Sequence, residues 1–546
     1  MTQPNDDATF MDWAEYMKIS AQNSVLSPPI SQTENGALSH ATTGSAVLNL
    51  FFKVLRTSTA EQIATLMAES WKENPLLTLR AIFHLRDCRG GKGEKKAFYE
   101  CLRWLITNGQ EEQVLSNLEN IPFFGTYKDL LIVCGGNNLE LPMLRLYATT
   151  LRDDLDTLNK SVTNITNVSN FDKKTISTTV QSTTNTTLAG KWAPTEGGEM
   201  DKKFNYVRKL TGLLRTSCKP QTVTVKNARD YRKLVTVPLR QHANIVETQM
   251  CANSWDTIDY QHVPSMAMKL YRKAFAKHSD EKFAKYLADV KCGKKTINAS
   301  AVFPHQLVKH YMNGGAYDET IELQWKALVN DARAAGDGIN ALPLIDVSHS
   351  MHGEPMQVAI ALGLLLSEIA PDNFRGAMLT FTSTPELYRV DTNKSLKDKV
   401  AIIRTLPWGQ STNIAKAFDL ILDTAVKGNV QEAAMPRTLY IFSDMQFDEA
   451  SPHNSQTNFQ YIEENYTRCG YRRPSIVFWN LRGNTADFPV EQHVPNCALV
   501  SGFSPSLLKL FMNGETLSPY ATMLSALTSP RYARVKLADV TYPEGW

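Results

Sequence analysis

At 546 residues the chain is too long for one compact core, so two or more domains are expected. Its 43% hydrophobic and 21% charged residues are ordinary for a soluble globular protein. A formal net charge of +3 excludes a surface that is basic throughout, so any nucleic-acid surface must come from local clustering.

The opening MTQPNDDATF has no basic n-region or apolar h-region, so no secretory signal is expected. Residues 1–45 are polar and turn-rich, with loop signals in SPPISQTENG. From Ser45, VLNLFFKVL, AEQIATLMAESW and LLTLRAIFHL space apolar residues by three and four, which predicts amphipathic helices in stacked antiparallel pairs. Next, in RDCRGGKGEKK, Arg86, Arg89, Lys92, Lys95 and Lys96 flank Gly90, Gly91 and Gly93. This reads either as a phosphate-contacting turn at a helix start or as a helix-linking loop with solvated charges. It is no Walker A loop, because the spacing is absent and Glu94 follows Gly93.

Residues 159–187 are dominated by Ser, Thr and Asn and predict a surface insertion or flexible loop. Between 201 and 240, Lys202, Lys203, Arg208, Lys209, Arg215, Lys219, Lys226, Arg229, Arg232, Lys233 and Arg240 face only Asp201 and Asp230. Eleven bases against two acids give a local charge of +9. Phe204, Tyr206 and Tyr231 are interleaved and Trp192 lies upstream, a pattern that suits a polyanion whose bases stack on rings. The competing reading is a set of solvated helix faces paired with acids elsewhere. Residues 46–335 therefore read as an all-helical array whose repeats are too degenerate to fix a period.

After Gly336 the rhythm changes. ALPLIDVS, RGAMLTFTS, ELYRV, RTLYIFSDM, SIVFWNL and CALVSGFS read as strands alternating with helices, so 336–546 predicts a mainly parallel, doubly wound α/β sheet. The eight cysteines are scattered without a ligand array, which argues against zinc and for a reducing, cytoplasmic setting. The longest apolar run, Val358 to Leu366, is far short of the roughly 18 residues that span a bilayer, so no membrane partner is expected.

Polar groups collect at the predicted strand ends: Asp346, Ser348 and Ser350 in DVSHS, Thr412 in GQSTN, and Asp444 in FSDMQ. In a doubly wound sheet such loops meet on one rim. Two carboxylates and three hydroxyls can surround a divalent ion such as Mg²⁺, with positions left to water. Taken singly, Asp346 or Ser350 reads as a cap of the following helix. His349 and His352 alternate with the Asp/Ser set and are expected to point away from it or towards a partner.

DVSHSM, the Thr412 loop and FSDM resemble a von Willebrand factor A domain with a metal-ion-dependent adhesion site. That resemblance implies that Asp346, Ser348, Ser350, Thr412 and Asp444 hold Mg²⁺, or another divalent cation such as Mn²⁺ or Ca²⁺. It also implies an open metal position that accepts a partner's carboxylate. Over nearly its full length the chain resembles the domain of unknown function 2828 family, through TENGALSHATTGS, RDCRGGKGE, IPFFGTYKDLL, LAGKWAPTE, FSDMQFDEA, PSIVFWNL and SGFS. A helical array followed by an A domain is also similar in architecture to the TROVE/Ro RNA-binding proteins, whose HEAT-like repeats form a ring that holds RNA.

Three functions follow as expectations. The first is a non-enzymatic RNA-binding or ribonucleoprotein scaffold. The second is a protein–protein interaction module that docks through the metal and uses no nucleic acid. The third, a metal-dependent phosphohydrolase, lacks a nucleophile with a matched base and a dinuclear ligand set.

Overall fold

The computed structural model describes residues 29–168, 185–215, 225–334, 340–381, 385–406, 412–448, 457–483, 487–511 and 518–538. The chain enters through a small hairpin, β1 (Ile30–Gln32) and β2 (Leu38–His40), paired antiparallel. Helices then run from Ala46–Lys53 to Glu319–Ala334, with no strand among the described residues between them. Local chemistry starts them. Ser45 accepts from Leu48 N, Thr59 and Gln62 form a reciprocal capping box, and Asn74 caps the helix Pro75–Arg86 with proline in its first turn. Amphipathic helices bury one apolar stripe; in Lys95–Thr107 it is Ala97, Phe98, Cys101, Leu102 and Leu105.

Two expectations change in this part. Residues 159–168 are no loop, because they continue the 29-residue helix Glu140–Val168. The remainder of the Ser/Thr/Asn-rich stretch, to residue 184, lies outside the described residues. Residues 29–41, expected as part of a polar leader, form the hairpin, and His40 bridges to Phe488 in the α/β part.

The second part is a six-stranded sheet: β3 (Ala341–Ile345), β4 (Ala377–Thr380), β5 (Leu387–Arg389), β6 (Thr438–Ser443), β7 (Ser475–Asn480) and β8 (Cys497–Ser501). The spatial order is β5-β4-β3-β6-β7-β8, parallel except for the antiparallel edge strand β5. β3, β4 and β8 are buried at every position, as expected of parallel strands covered on both faces. The helix Glu354–Ile369 lies so close to β3 that a Cβ on Gly363 would stand 2.4 Å from Ile345 Cδ1, so any larger residue would have to move that side chain. Strand order reverses between β3 and β6. Loops leaving adjacent strands in opposite directions open a crevice at their carboxyl ends, the place where such sheets bind ligands.

The helices and the sheet share one apolar core, which runs from Val47 and Phe52 through Trp479 to Val535. A second, smaller core joins Ile258, Phe275, Phe283 and Tyr286 within the helical part. Polar contacts also tie the two parts. Trp325 Nε1 donates to Glu368 Oε1 at 2.9 Å, and Lys399 pairs with the same carboxylate at 2.8 Å. Arg56 pairs with Glu94 at 3.0 Å and Glu354 at 3.4 Å, and Glu354 begins the helix that follows the DVSHS loop. No helix among the described residues is long and apolar enough to cross a membrane.

Candidate metal centre

Asp346 leaves the end of β3 and Asp444 the end of β6, the two strands that flank the reversal. Both side chains are fully buried. Asp346 Oδ1 accepts from Ser348 N at 2.9 Å and Oδ2 from Ser443 Oγ at 2.5 Å. Ser348 Oγ and Ser350 Oγ stand 3.0 Å apart. Asp444 Oδ1 accepts from Gln446 N at 3.2 Å, while Oδ2 is buried with no hydrogen-bond donor. The Arg482 guanidinium stands 3.9 Å from that oxygen and donates to Ser350 O at 2.9 Å.

Burial pushes the Asp346 carboxyl well above the usual carboxylate range, and the Asp444 charge adds to the shift. Burial also raises Asp444. Two carboxylates held out of water beside each other, one with an orphaned oxygen, disfavour their own ionisation unless a cation lies between them. The donor set fits a hard divalent ion: two carboxylates and hydroxyl oxygens. Among the described residues no three His, Cys, Asp or Glu side chains group as a metal site, so the charged ligands here are the two carboxylates alone.

The capping alternative is not what the loop does. The N-cap of Glu354–Ile369 is Gly353, and no side chain caps that helix. Asn413 caps Ile414–Lys427 by accepting from Lys416 N, which leaves Thr412 for other contacts. His349 and His352 are exposed, with ring centroids 6.3 Å apart.

Thr412 is fully buried but joins the other four residues through an intermediary. Its hydroxyl donates to Gln446 O at 2.7 Å, with Asp448 Oδ1 at 3.0 Å, and Gln446 N reaches Asp444. Sequence reasoning missed three residues here. Asn35, from the hairpin, donates to Thr412 Oγ1; Gln446 links Thr412 to Asp444; Arg482 lies beside Asp444. The TENG turn and the Gln following FSDM were visible as polar residues, but nothing in their spacing placed them at one site.

The basic residues divide. Arg86 is buried against Asp129 at 2.8 Å, and Lys92 is buried with its ammonium on Phe51 O, Val54 O and Ser501 Oγ. These two are therefore corrected from phosphate contacts to structural ties. The glycines explain the turn: Lys92 N and Glu94 N bond back to His84 O and Leu85 O, and a Cβ on Gly91 would lie 2.0 Å from His84 O. Arg89, Lys95 and Lys96 are exposed, and Arg89 donates to Phe123 O.

Lys202, Lys203, Arg208, Lys209, Arg215, Lys226, Arg229, Arg232 and Lys233 are exposed. Arg240 is half-buried on Gly190 O and Ala193 O, and Lys219 lies outside the described residues. Arg208, Arg215 and Lys226 line one 440 Å³ cleft with Glu196 and Asp201. Tyr206 and Tyr231 are buried, so of the expected stacking rings only Phe204 and Trp192 are partly accessible.

Comparison with known proteins agrees with the two-part architecture. Residues 33–134 and 138–337 match the family described as Domain of unknown function (DUF2828). Residues 340–529 match a second, Domain of unknown function (DUF7788). A mimivirus protein, "Uncharacterized protein L728" of Acanthamoeba polyphaga mimivirus, is 31% identical over 528 residues, covering 91% of this chain and 87% of its own length. A match across most of the helical part and a relative this similar over nearly both whole chains establish that the chain belongs to the Domain of unknown function (DUF2828) family.

Proposed function

We propose that the chain is a non-enzymatic binding protein, an RNA-binding or ribonucleoprotein scaffold whose α/β part is a von Willebrand factor A-like domain with a Mg²⁺-type adhesion site. The observation that carries it is the buried Asp346–Asp444 pair at the sheet's reversal point, with one carboxylate oxygen left without a donor. Asp346, Ser348, Ser350, Thr412 and Asp444 would hold the ion. A bound divalent cation supplies a Lewis-acidic position that grips an oxygen ligand. The chain's own residues exclude water from the carboxylates and fix the hydroxyls. The helical part, read as a HEAT-like array, would hold RNA on its exposed bases. Support comes from the nine exposed Lys and Arg side chains between 202 and 233, three of them on one cleft.

RNA binding should weaken linearly in log–log salt plots. Removing three phosphate contacts by Arg208→Ala, Lys226→Ala and Arg232→Ala should flatten the slope by about 2 on single strands, at roughly 0.7 per contact. Gel-shift titration from low to moderate salt measures this. Absence of binding at low salt, or an unchanged slope, rejects the RNA assignment.

A partner carboxylate on the metal is the second reading, favoured by the position of Arg482, whose guanidinium stands beside Asp444 at the rim. It predicts that protein partners captured in Mg²⁺ are released by chelator and fail to bind Asp346→Ala. Equal capture under all three conditions removes the metal as the docking point.

A further inference from the structure

The hairpin at the start of the described chain reaches the candidate cation site across the whole sequence. Its loop is closed by its own bonds: Thr33 N donates to Ala37 O at 2.9 Å and Gly36 N to Thr33 O at 3.0 Å. Gly36 has a φ of +90°, a conformation that glycine adopts without strain. Four contacts then fix this loop to the segment that follows Asp444. Thr33 Oγ1 donates to Phe447 O at 2.7 Å, Glu34 N to Gln446 Oε1 at 2.6 Å, and Asn35 Nδ2 to Gln446 O at 2.8 Å. Gly36 forms a β-bridge with Asp448.

Asn35 makes one further bond, from Nδ2 to Thr412 Oγ1 at 3.0 Å, spanning 377 positions of sequence. A hydroxyl has one hydrogen and two lone pairs. The Thr412 hydrogen goes to Gln446 O or Asp448 Oδ1, and Asn35 takes one lone pair. The hydroxyl is then held between these partners, and a single lone pair remains for another ligand.

We propose that Asn35 is a positioning residue of the cation site, setting the Thr412 hydroxyl for metal ligation, so that the N-terminal hairpin is a working part of a centre otherwise built by the α/β part. This rests on the cation reading above. Partners that orient metal ligands without touching the ion are typically worth about 10–100-fold in metal affinity. Seating of the hairpin and occupation of the site are therefore linked: each favours the other by the same factor.

The test is Mn²⁺ titration by calorimetry on the full chain, for wild type, Asn35→Ala and Asn35→Gln, with thermal midpoints in chelator and in Mn²⁺. Asn35 is exposed at a loop tip, and the Thr33, Glu34 and Gly36 contacts that hold the hairpin do not use its side chain, so Asn35→Ala should keep most of its chelator midpoint. Its Mn²⁺ affinity should fall at least tenfold, and Asn35→Gln, which keeps the amide donor, should recover part of it. Asn35→Ala binding within twofold of wild type overturns the proposal. So does a midpoint lowered equally with and without Mn²⁺, which would confine Asn35 to holding the hairpin. If wild type itself takes up no Mn²⁺, the cation reading fails, and the proposal with it, an outcome separate from an unaffected variant.

Discussion

The proposed cation site predicts that Mg²⁺ or Mn²⁺ raises the thermal midpoint of the native chain, that Asp346→Asn abolishes the rise, and that in chelator the variant is more stable than wild type. The two halves come from the same geometry. Without a cation, Asp346 and Asp444 place two carboxylates in a buried pocket, and each is harder to ionise than in water. Each unit of upward shift is about 1.4 kcal/mol of differential interaction. An amide at position 346 removes one charge, and its oxygen can still accept from Ser348 N or Ser443 Oγ. With a cation the balance inverts, because the ion neutralises the pair. At a free ion concentration of 100 Kd, binding stabilises the fold by about 2.7 kcal/mol. A variant that gains midpoint from Mg²⁺ as wild type does would reject the site.

The pH dependence follows from the raised carboxyls. A folded-state pKa above the unfolded value means that the folded protein binds the extra proton, so the cation-free chain should lose stability as pH rises from the ordinary carboxylate range towards neutrality. The cation needs the ionised pair, so its affinity should rise over that same interval. Mn²⁺ titrations at several pH values between 5 and 7.5 check this. A flat or falling affinity would mean that the buried pair is not the ligand.

How far the chain could be read beforehand depended on what burial does to a residue type. Strands such as Ala341–Ile345 and Thr438–Ser443 stood out because strands covered on both faces are dominated by apolar residues. Asp346 and Asp444 stood out because a lone acid at the end of such a run marks the rim of a sheet. The hairpin Ile30–His40 did not, since three-residue strands with mixed burial leave no alternation to detect. Asn35 was hidden for another reason. Its partner is 377 residues away, and an amide in a TENG turn reads as turn chemistry wherever it points. Arg86 and Lys92 misled because charge in a sequence says nothing of whether its partner is solvent or a buried oxygen of the protein itself.

Arg86→Ala is the substitution expected to cost most in stability, about 3–5 kcal/mol, with the proposed RNA binding unchanged on the protein that remains folded. The guanidinium is buried against Asp129, with Nε at 3.0 Å and Nη2 at 2.8 Å from Oδ2. Thr126 N donates to the same oxygen at 2.7 Å, and Tyr99 donates to Oδ1. The backbone is moulded around the pair: a Cβ on Gly125 would meet Asp129 Oδ2 at 2.2 Å and Arg86 Nε at 2.8 Å. Removing the arginine leaves a fully buried carboxylate with two neutral donors and no counter-charge. Arg86→Lys should not restore it, because one ammonium cannot reproduce two parallel N–H contacts. Asp129→Asn added to Arg86→Ala should recover part of the loss by removing the stranded charge while keeping an acceptor for Thr126 N. Urea unfolding of the four proteins measures each step. A loss below about 1 kcal/mol for Arg86→Ala would put the pair among ordinary exposed ion pairs, whereas a collapse of RNA binding in folded Arg86→Ala would return Arg86 to the nucleic-acid surface.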